Sequence, residues 1–345
     1  MKKYVIMILC LFMLVGCNNK ENFSTIDIEF DSNYYQVYSP YKKGVSNNYV
    51  VNNVLNNYDI LDIESSLMNL STVYFKTNNS YYQEGQYLKE SELKTLLSNK
   101  ELNNAPNIVI DDVDIEPTYI TSIYEQNFLA SNGHLKGVSL AIVLNPYQAY
   151  KNSYGNYVYK IVDDNTLIDF GKKTANKLIE YMYNKEELKD IKIIVGLYFQ
   201  KSPNSMLPGG FKYIGITNKN IIEMEEVDYS YQYLNSDYVN KNDINTATGY
   251  KNIEKSVKNV FSNVYMSGKG FYQNNTLKNI EIDVNNSSFS KSQLLYLSQL
   301  LSDEIGKSFD NKVDIRIFIK SNNQILALIR KDKNTLRSNV YIMRG

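Results

Sequence analysis

The pattern of apolar and polar positions divides the chain into a greasy start, an irregular stretch, and a segment that reads the same way twice. Apolar residues run almost unbroken from Val5 to Val15, then give way to Asn18-Asn19-Lys20-Glu21-Asn22. From position 26 to 104 the pattern is irregular, with Asn-rich turns at 46–48, 52–53 and 56–57. Within it, residues 60–70 (ILDIESSLMNL) space apolar side chains at three to four, which predicts an amphipathic helix. Residues 81–88 predict a strand and turn leading into a helix over 91–97. The acidic, proline-bounded stretch 103–117 reads as a linker.

Beyond it, the first copy predicts an extended segment over 123–130, a turn at Asn132-Gly133 and a strand over 138–144. Asn-Gly between apolar runs signals a hairpin. A loop over 145–166 follows, then a helix over 169–183 and strands over 191–199 and 211–216. The second copy predicts a helix over 253–261, an extended run over 264–272, an Asn274-Asn275 turn and a strand over 277–284. Ser290 offers a cap for a helix to Ile305, and strands over 313–319 and 325–329 close the unit. The expected fold class is therefore α+β: two similar hairpin-helix-hairpin units with antiparallel sheets, residues 116–225 and 245–345, preceded by an irregular α+β region over 26–115. One such unit buries one sheet face under one helix, and duplication enlarges the core.

The greasy start has the form of a secretory signal: Lys2 and Lys3, a short apolar middle, and small Gly16 at the exit. The run is shorter than the roughly 20 residues that cross a bilayer core. Leu14-Val15-Gly16-Cys17 resembles a bacterial lipoprotein lipobox, in which the Cys is lipidated and becomes the mature N-terminus. Residues 1–17 are then the signal, 18–25 a polar tether, and the partner is a membrane reached through acyl chains. Stable attachment of that kind generally takes two chains. The expected location is the extracytoplasmic face of the cell membrane.

Composition narrows the chemistry. With 37 basic and 37 acidic residues the chain has no basic field, so nucleic acid is not an expected partner. Both cysteines, Cys10 and Cys17, fall in the signal or at its end, which excludes a disulfide in the mature chain. The single histidine, His134, sits beside a turn: one ring cannot make a His-based metal site, any Ser-His-Asp catalysis would have to run through it, and in such a turn it reads as plain surface. Gly268-Lys269-Gly270 lacks the helix start that would aim amides at a phosphate, and reads as a bend or bulge in a strand. Asp111-Asp112-Val113-Asp114 matches no EF-hand spacing and reads as solvated linker. No cofactor, no metal and no catalytic residue is expected.

Paired carboxylates remain the one catalytic alternative. Glu84 and Glu125 lie in stretches rich in Gln, Tyr and Gly, and together with Gln86 and Gln126 they form the candidate ligand-binding set. Two carboxylates at a suitable separation could act as acid and base on a cell-wall glycan or peptide. The 31 tyrosines could stack on sugars or peptides, but their spread along the chain points mostly to core and sheet positions.

Several ordered segments carry a family resemblance. Residues 82–88 (YQEGQYL), 125–129 (EQNFL), 137–146, 191–200, Pro208-Gly209-Gly210-Phe211 and 268–272 resemble the CamS-type sex pheromone lipoproteins of low-GC Gram-positive bacteria. The resemblance implies a surface lipoprotein with a repeated C-terminal α+β unit and no established enzymatic role; the expectation for the mature body is a binding or interaction module whose ligand is an envelope polymer or peptide. It also implies that the processed signal releases a short hydrophobic peptide, here residues 10–16 (CLFMLVG). Lys43-Gly44 stands where the family pattern leads one to expect Arg-Gly, and Met224 where Trp is usual.

Overall fold

The computed structural model describes residues 34–98, 100–110, 112–218 and 221–343. The signal, Cys17 with its lipobox, and the polar tether lie outside the described residues.

Two mixed sheets carry the fold. The first has the order β1(Gln36–Val37), β2(Tyr81–Glu84), β5(Ile120–Leu129), β6(Leu135–Leu144), β9(Lys192–Phe199), β10(Gly210–Asn218), β11(Ile221–Glu226). The second runs β12(Tyr229–Tyr233), β13(Tyr265–Gln273), β14(Thr276–Asn286), β15(Asp314–Ser321), β16(Gln324–Lys331), β17(Asn339–Ile342). The duplication is visible in the pairing. β5-β6-β9-β10 and β13-β14-β15-β16 each pair antiparallel, parallel, antiparallel. The class is α+β as expected, and the sheets are mixed because the middle two strands of each unit are joined through a helix. A helical crossover returns the chain to the starting edge and makes its strands parallel.

Those helices are α4(Asp164–Tyr183) and α7(Lys291–Ser308). In α4, Leu167, Gly171, Thr174, Ala175, Leu178, Ile179 and Met182 are buried, a stripe at helical spacing. Asp163 caps its start by accepting from the Thr166 N–H. Ser290 caps α7 as expected, and Gln293 completes a capping box.

The two units differ in how their sheets are covered. On one face of the first sheet, Leu140, Ile142, Val195 and Leu197 pack under α4. On the other, Tyr124, Phe128, Val143, Ile194 and Tyr198 pack with Ile63, Leu67 and Leu70 of α2(Asn57–Ser71). The region before position 116 thus serves the first sheet: β1 and β2 extend it, α2 lies on its back, and the short helices α1(Asn47–Asn53) and α3(Glu90–Leu96) complete the edge. In the second unit, after the short α5(Asp237–Asn242), α6(Ile244–Val260) and α7 pack together on one face, where Ile253, Val257, Leu297 and Leu301 meet Ile282, Ile315 and Ile317. Its opposite face is polar apart from the edge where Phe271 joins the cluster under α2. There Lys269 and Glu281, opposite in register, form an ion pair at 2.8 Å, and Lys320 meets Asp283 at 2.6 Å.

Two stretches expected as irregular are hairpins. The linker over 103–117 contains β3(Ile108–Ile110) and β4(Val113–Ile115), because Ile110 turns inward and is buried. The loop over 145–166 contains β7(Tyr147–Lys151) and β8(Tyr157–Ile161). Strands β11, β12 and β17 add edges that apolar periodicity alone did not bring out.

The two cores differ from the surface in a measurable way. Leu178→Ala and Leu301→Ala, each removing a side chain with no exposed surface, are expected to cost about 2–5 kcal/mol in urea unfolding. Leu61, 73% exposed, should change stability by less than about 0.5 kcal/mol on truncation to Ala.

Candidate functional site

Helix α2 buries a polar pair that an amphipathic helix would ordinarily turn to water. Asn56 starts the helix by accepting from the Tyr58 N–H. Asp59 and Asp62, three positions apart and so on one face, both point into the structure. Asp59 accepts from the backbone N–H of Lys201 at 3.0 Å and of Gly209 at 2.6 Å, and from the Tyr198 hydroxyl at 3.1 Å. Asp62 accepts from Ser66 at 2.9 Å, from Tyr198 at 3.0 Å and from Tyr231 at 2.6 Å. The close approach of the 208–210 turn requires glycine: a Cβ at Gly209 would lie 1.8 Å from the Phe199 carbonyl oxygen. Tyr231 belongs to the second sheet, so this network joins the two units.

Above the network lies an open cavity of about 410 Å³. Tyr58, Leu61, Asp62 and Ser65 of α2 form one wall, and Tyr231, Lys269, Phe271, Glu281, Asp314 and Arg316 of the second sheet form the other. Charges of both signs meet apolar surface here. Glu281, opposite Arg316 in register, is engaged by Lys269. Among the described residues the exposed Arg316 has no ion-pair partner.

Burial governs the ionisation of the network. Asp59 is pushed up to about 6, first by desolvation, against the pull of the Gly209, Lys201 and Tyr198 donors. Asp62 is also raised by burial, with Tyr231, Ser66 and Tyr198 pulling the other way. Tyr198 is raised well above its ordinary value by burial and by the two carboxylates it touches.

The expected site residues do not line this cavity: Gln126 and Glu84 share the α2-covered face of the first sheet, and Glu125 lies on the opposite one. Glu84 pairs in register with Gln126, so Glu84 and Glu125 point to opposite faces. Glu125 is buried, and its oxygens accept from the backbone N–H groups of Gln86, Tyr87 and Leu88 and from the Asn127 amide. Burial raises its pKa and those four donors oppose the rise. Glu84 accepts from the Tyr41 hydroxyl at 2.6 Å and from the Gly44 N–H and Asn47 amide at 2.5 Å each. Gln86 donates to the carbonyls of Lys43 and Glu84, and Gln126 donates to that of Glu64. Each carboxylate organises a loop, and the structure does not bring the two together as acid and base.

A family model described as CamS sex pheromone cAM373 precursor matches residues 41–336. The chain belongs to the CamS family. Its fold is that of the sex pheromone precursor of Lactobacillus salivarius, with a TM-score of 0.84 at 22% identity over 92% of this chain and 98% of the other. The C-terminal domain of the sex pheromone staph-cAM373 precursor of Staphylococcus aureus aligns with a TM-score of 0.73 at 23% identity, over 85% and 99% of the two chains. No curated protein sequence matches. The CamS family is described by a precursor role and not by a catalysed reaction, and a pheromone precursor is an exported protein. Among the described residues no helix is long and apolar enough to cross a membrane.

Asp59, Asp62 and Tyr231 were not among the expected site residues of this CamS chain. Their one signal is the pair of acids at helical spacing within an apolar stretch, beside the Pro208-Gly209-Gly210 motif. A carboxyl whose folded pKa is raised stabilises fully below its unfolded value of 3.8 and loses that contribution as pH climbs through about 6. Asp59→Asn should therefore start less stable than the wild type near pH 4 and regain about 2–3 kcal/mol relative to it by about pH 7. Urea unfolding at stepped pH measures this, and a constant difference between the two chains would refute it.

Proposed function

We propose that the chain is an extracytoplasmic lipoprotein of the CamS type, anchored through Cys17, whose body is a binding module with its seat in the cavity between α2 and the second sheet. The Leu14-Val15-Gly16-Cys17 pattern supports the anchor, and the family's description as pheromone precursors supports release of the 10–16 peptide from the signal. The observation that carries the binding reading is the cavity itself. It is open, of ligand size, and combines Arg316, which has no ion-pair partner among the described residues, with the apolar Leu61 and Phe271. That combination suits a short peptide presenting a carboxylate and an apolar side chain. The runner-up, a wall hydrolase using Glu84 and Glu125, has no support in their geometry, since their faces diverge.

Cells fed labelled palmitate should incorporate it into the wild-type chain and not into Cys17→Ala; label retained by the variant would refute anchoring at that residue. Mass spectrometry of the culture medium should detect the 10–16 fragment, and its absence would remove the signalling role. For the cavity, a panel of fluorescent tetrapeptides with free C-termini can be titrated by anisotropy. Binders should weaken about tenfold or more in Arg316→Ala, in keeping with loss of a charge-assisted hydrogen bond. Unchanged affinity there would move the seat elsewhere.

A further inference from the structure

The two units diverge most at one connection. Between β14 and α7 the second unit passes directly from Asn286 to Lys291, whereas the first inserts the whole β7–β8 hairpin between Leu144 and Asp164. The insertion adds little to the core, yet it is firmly built. Gln148, buried at its foot, accepts from the Thr118 N–H and donates to the Asn145 carbonyl. At its tip the Asn152 side chain accepts from the N–H groups of Tyr154 and Asn156, and Gly155 takes the left-handed conformation that closes the turn.

What this scaffold presents is aromatic surface. Register places Tyr157, Tyr159 and Ile161 on one face with Lys151, Ala149 and Tyr147. Tyr157 is 68% exposed, Tyr159 54% and Ile161 65%, with Tyr154 at the tip 87% exposed. Lys151 lies over the Tyr157 ring, 5.1 Å from its centroid. The hairpin carries Lys151 and Lys160 and no acid. The row descends into a groove of about 200 Å³ at its foot, lined by Tyr147, Ile161 and Lys201, with Asp164 also present. Three rungs two residues apart give a track of about 14 Å.

We propose that this hairpin is a docking strip for an anionic sugar polymer, whose rings lie on Tyr157 and Tyr159 while its acidic groups meet Lys151 and Lys201. Tyrosine offers a flat apolar face with a polar edge, which suits a sugar ring, and the lysines supply complementary charge. The chain's direction argues against a lipid surface as the occupant. The described residues begin at Tyr34, and β1 pairs beside the Leu129 end of β5, whereas the hairpin leaves from the Leu144 end, opposite Ile120. That separation is roughly 30 Å along a ten-residue strand. With the anchor proposed above at the N-terminal side, the hairpin is at the end of the first sheet remote from the point where the described chain begins. The choice of occupant rests on that reading; the binding assay does not.

The unlipidated chain from residue 18 to 345 retains every described element and can be run by affinity electrophoresis in gels containing alginate, neutral dextran or polyacrylate, and by sedimentation with phosphatidylglycerol vesicles. Retardation is expected in alginate, more strongly than in dextran or polyacrylate, and weaker at higher ionic strength. Tyr157→Ala/Tyr159→Ala should weaken it about tenfold and Lys151→Ala/Lys201→Ala several-fold, with unchanged unfolding temperatures, while Tyr157→Phe/Tyr159→Phe retains it. Equal retardation in polyacrylate, stronger binding to vesicles, indifference to the hairpin variants, or no retardation at all would each overturn the assignment. Loss of palmitate labelling in the intact cell would bear on the anchor alone.

Discussion

Two carboxylates buried in one helix need donors, and meeting that need fixes the arrangement of the whole molecule. Asp59 and Asp62 share the Tyr198 hydroxyl from the centre of the first sheet. The remaining donors are Ser66 one turn on in the helix, the 201–209 turn and Tyr231 of the second sheet. A buried acid left unsatisfied is costly, so helix, turn and both sheets are held in one mutual geometry. The cavity between α2 and the second sheet is the space left over by that geometry. Its floor is a polar network already saturated, and its walls expose the charges and apolar edges that are not.

The duplicated pairing order shows how one topology can yield two environments. In the first unit both faces are covered, by α4 and α2, and the central strands are buried on both sides. In the second, α6 and α7 crowd onto one face and leave the other to Lys269, Glu281, Asp283, Arg316 and Lys320. A strand buried twice reads as a continuous apolar run; one buried once alternates. The chain shows this contrast in VSLAIVL of β6 against VDIRIFIK around β15. The cores meet where Tyr229 and Phe271 of the second sheet join the cluster under α2.

The insertion at β7–β8 and the loops tied by Glu84 and Glu125 illustrate two fates of polar, aromatic sequence. Around Glu125 the polar groups turn inward and satisfy a tight turn whose backbone N–H groups would otherwise be buried without acceptors. On the hairpin they stand in solvent on a frame rigid enough to keep them in a row. Composition alone does not separate the two, since both stretches are rich in Tyr, Gln and Gly or Asn.

The sequence by itself determined the local elements and their order. Periodicity placed α2, α4 and α7, the Ser290 cap and the strands of both repeats, because the spacing of apolar residues and the chemistry of a cap act within a few positions. It also carried the family resemblance and the absence of basic field and mature thiols. Tertiary structure alone decided which polar residues converge. Glu84 and Glu125 are near neighbours across a strand pair yet face apart, because the side-chain period of two reverses with one step of register. Asp62, Tyr198 and Tyr231 are far apart in the chain and meet because three elements pack on one another. Such contacts depend on how faces stack in space, and no local pattern encodes that.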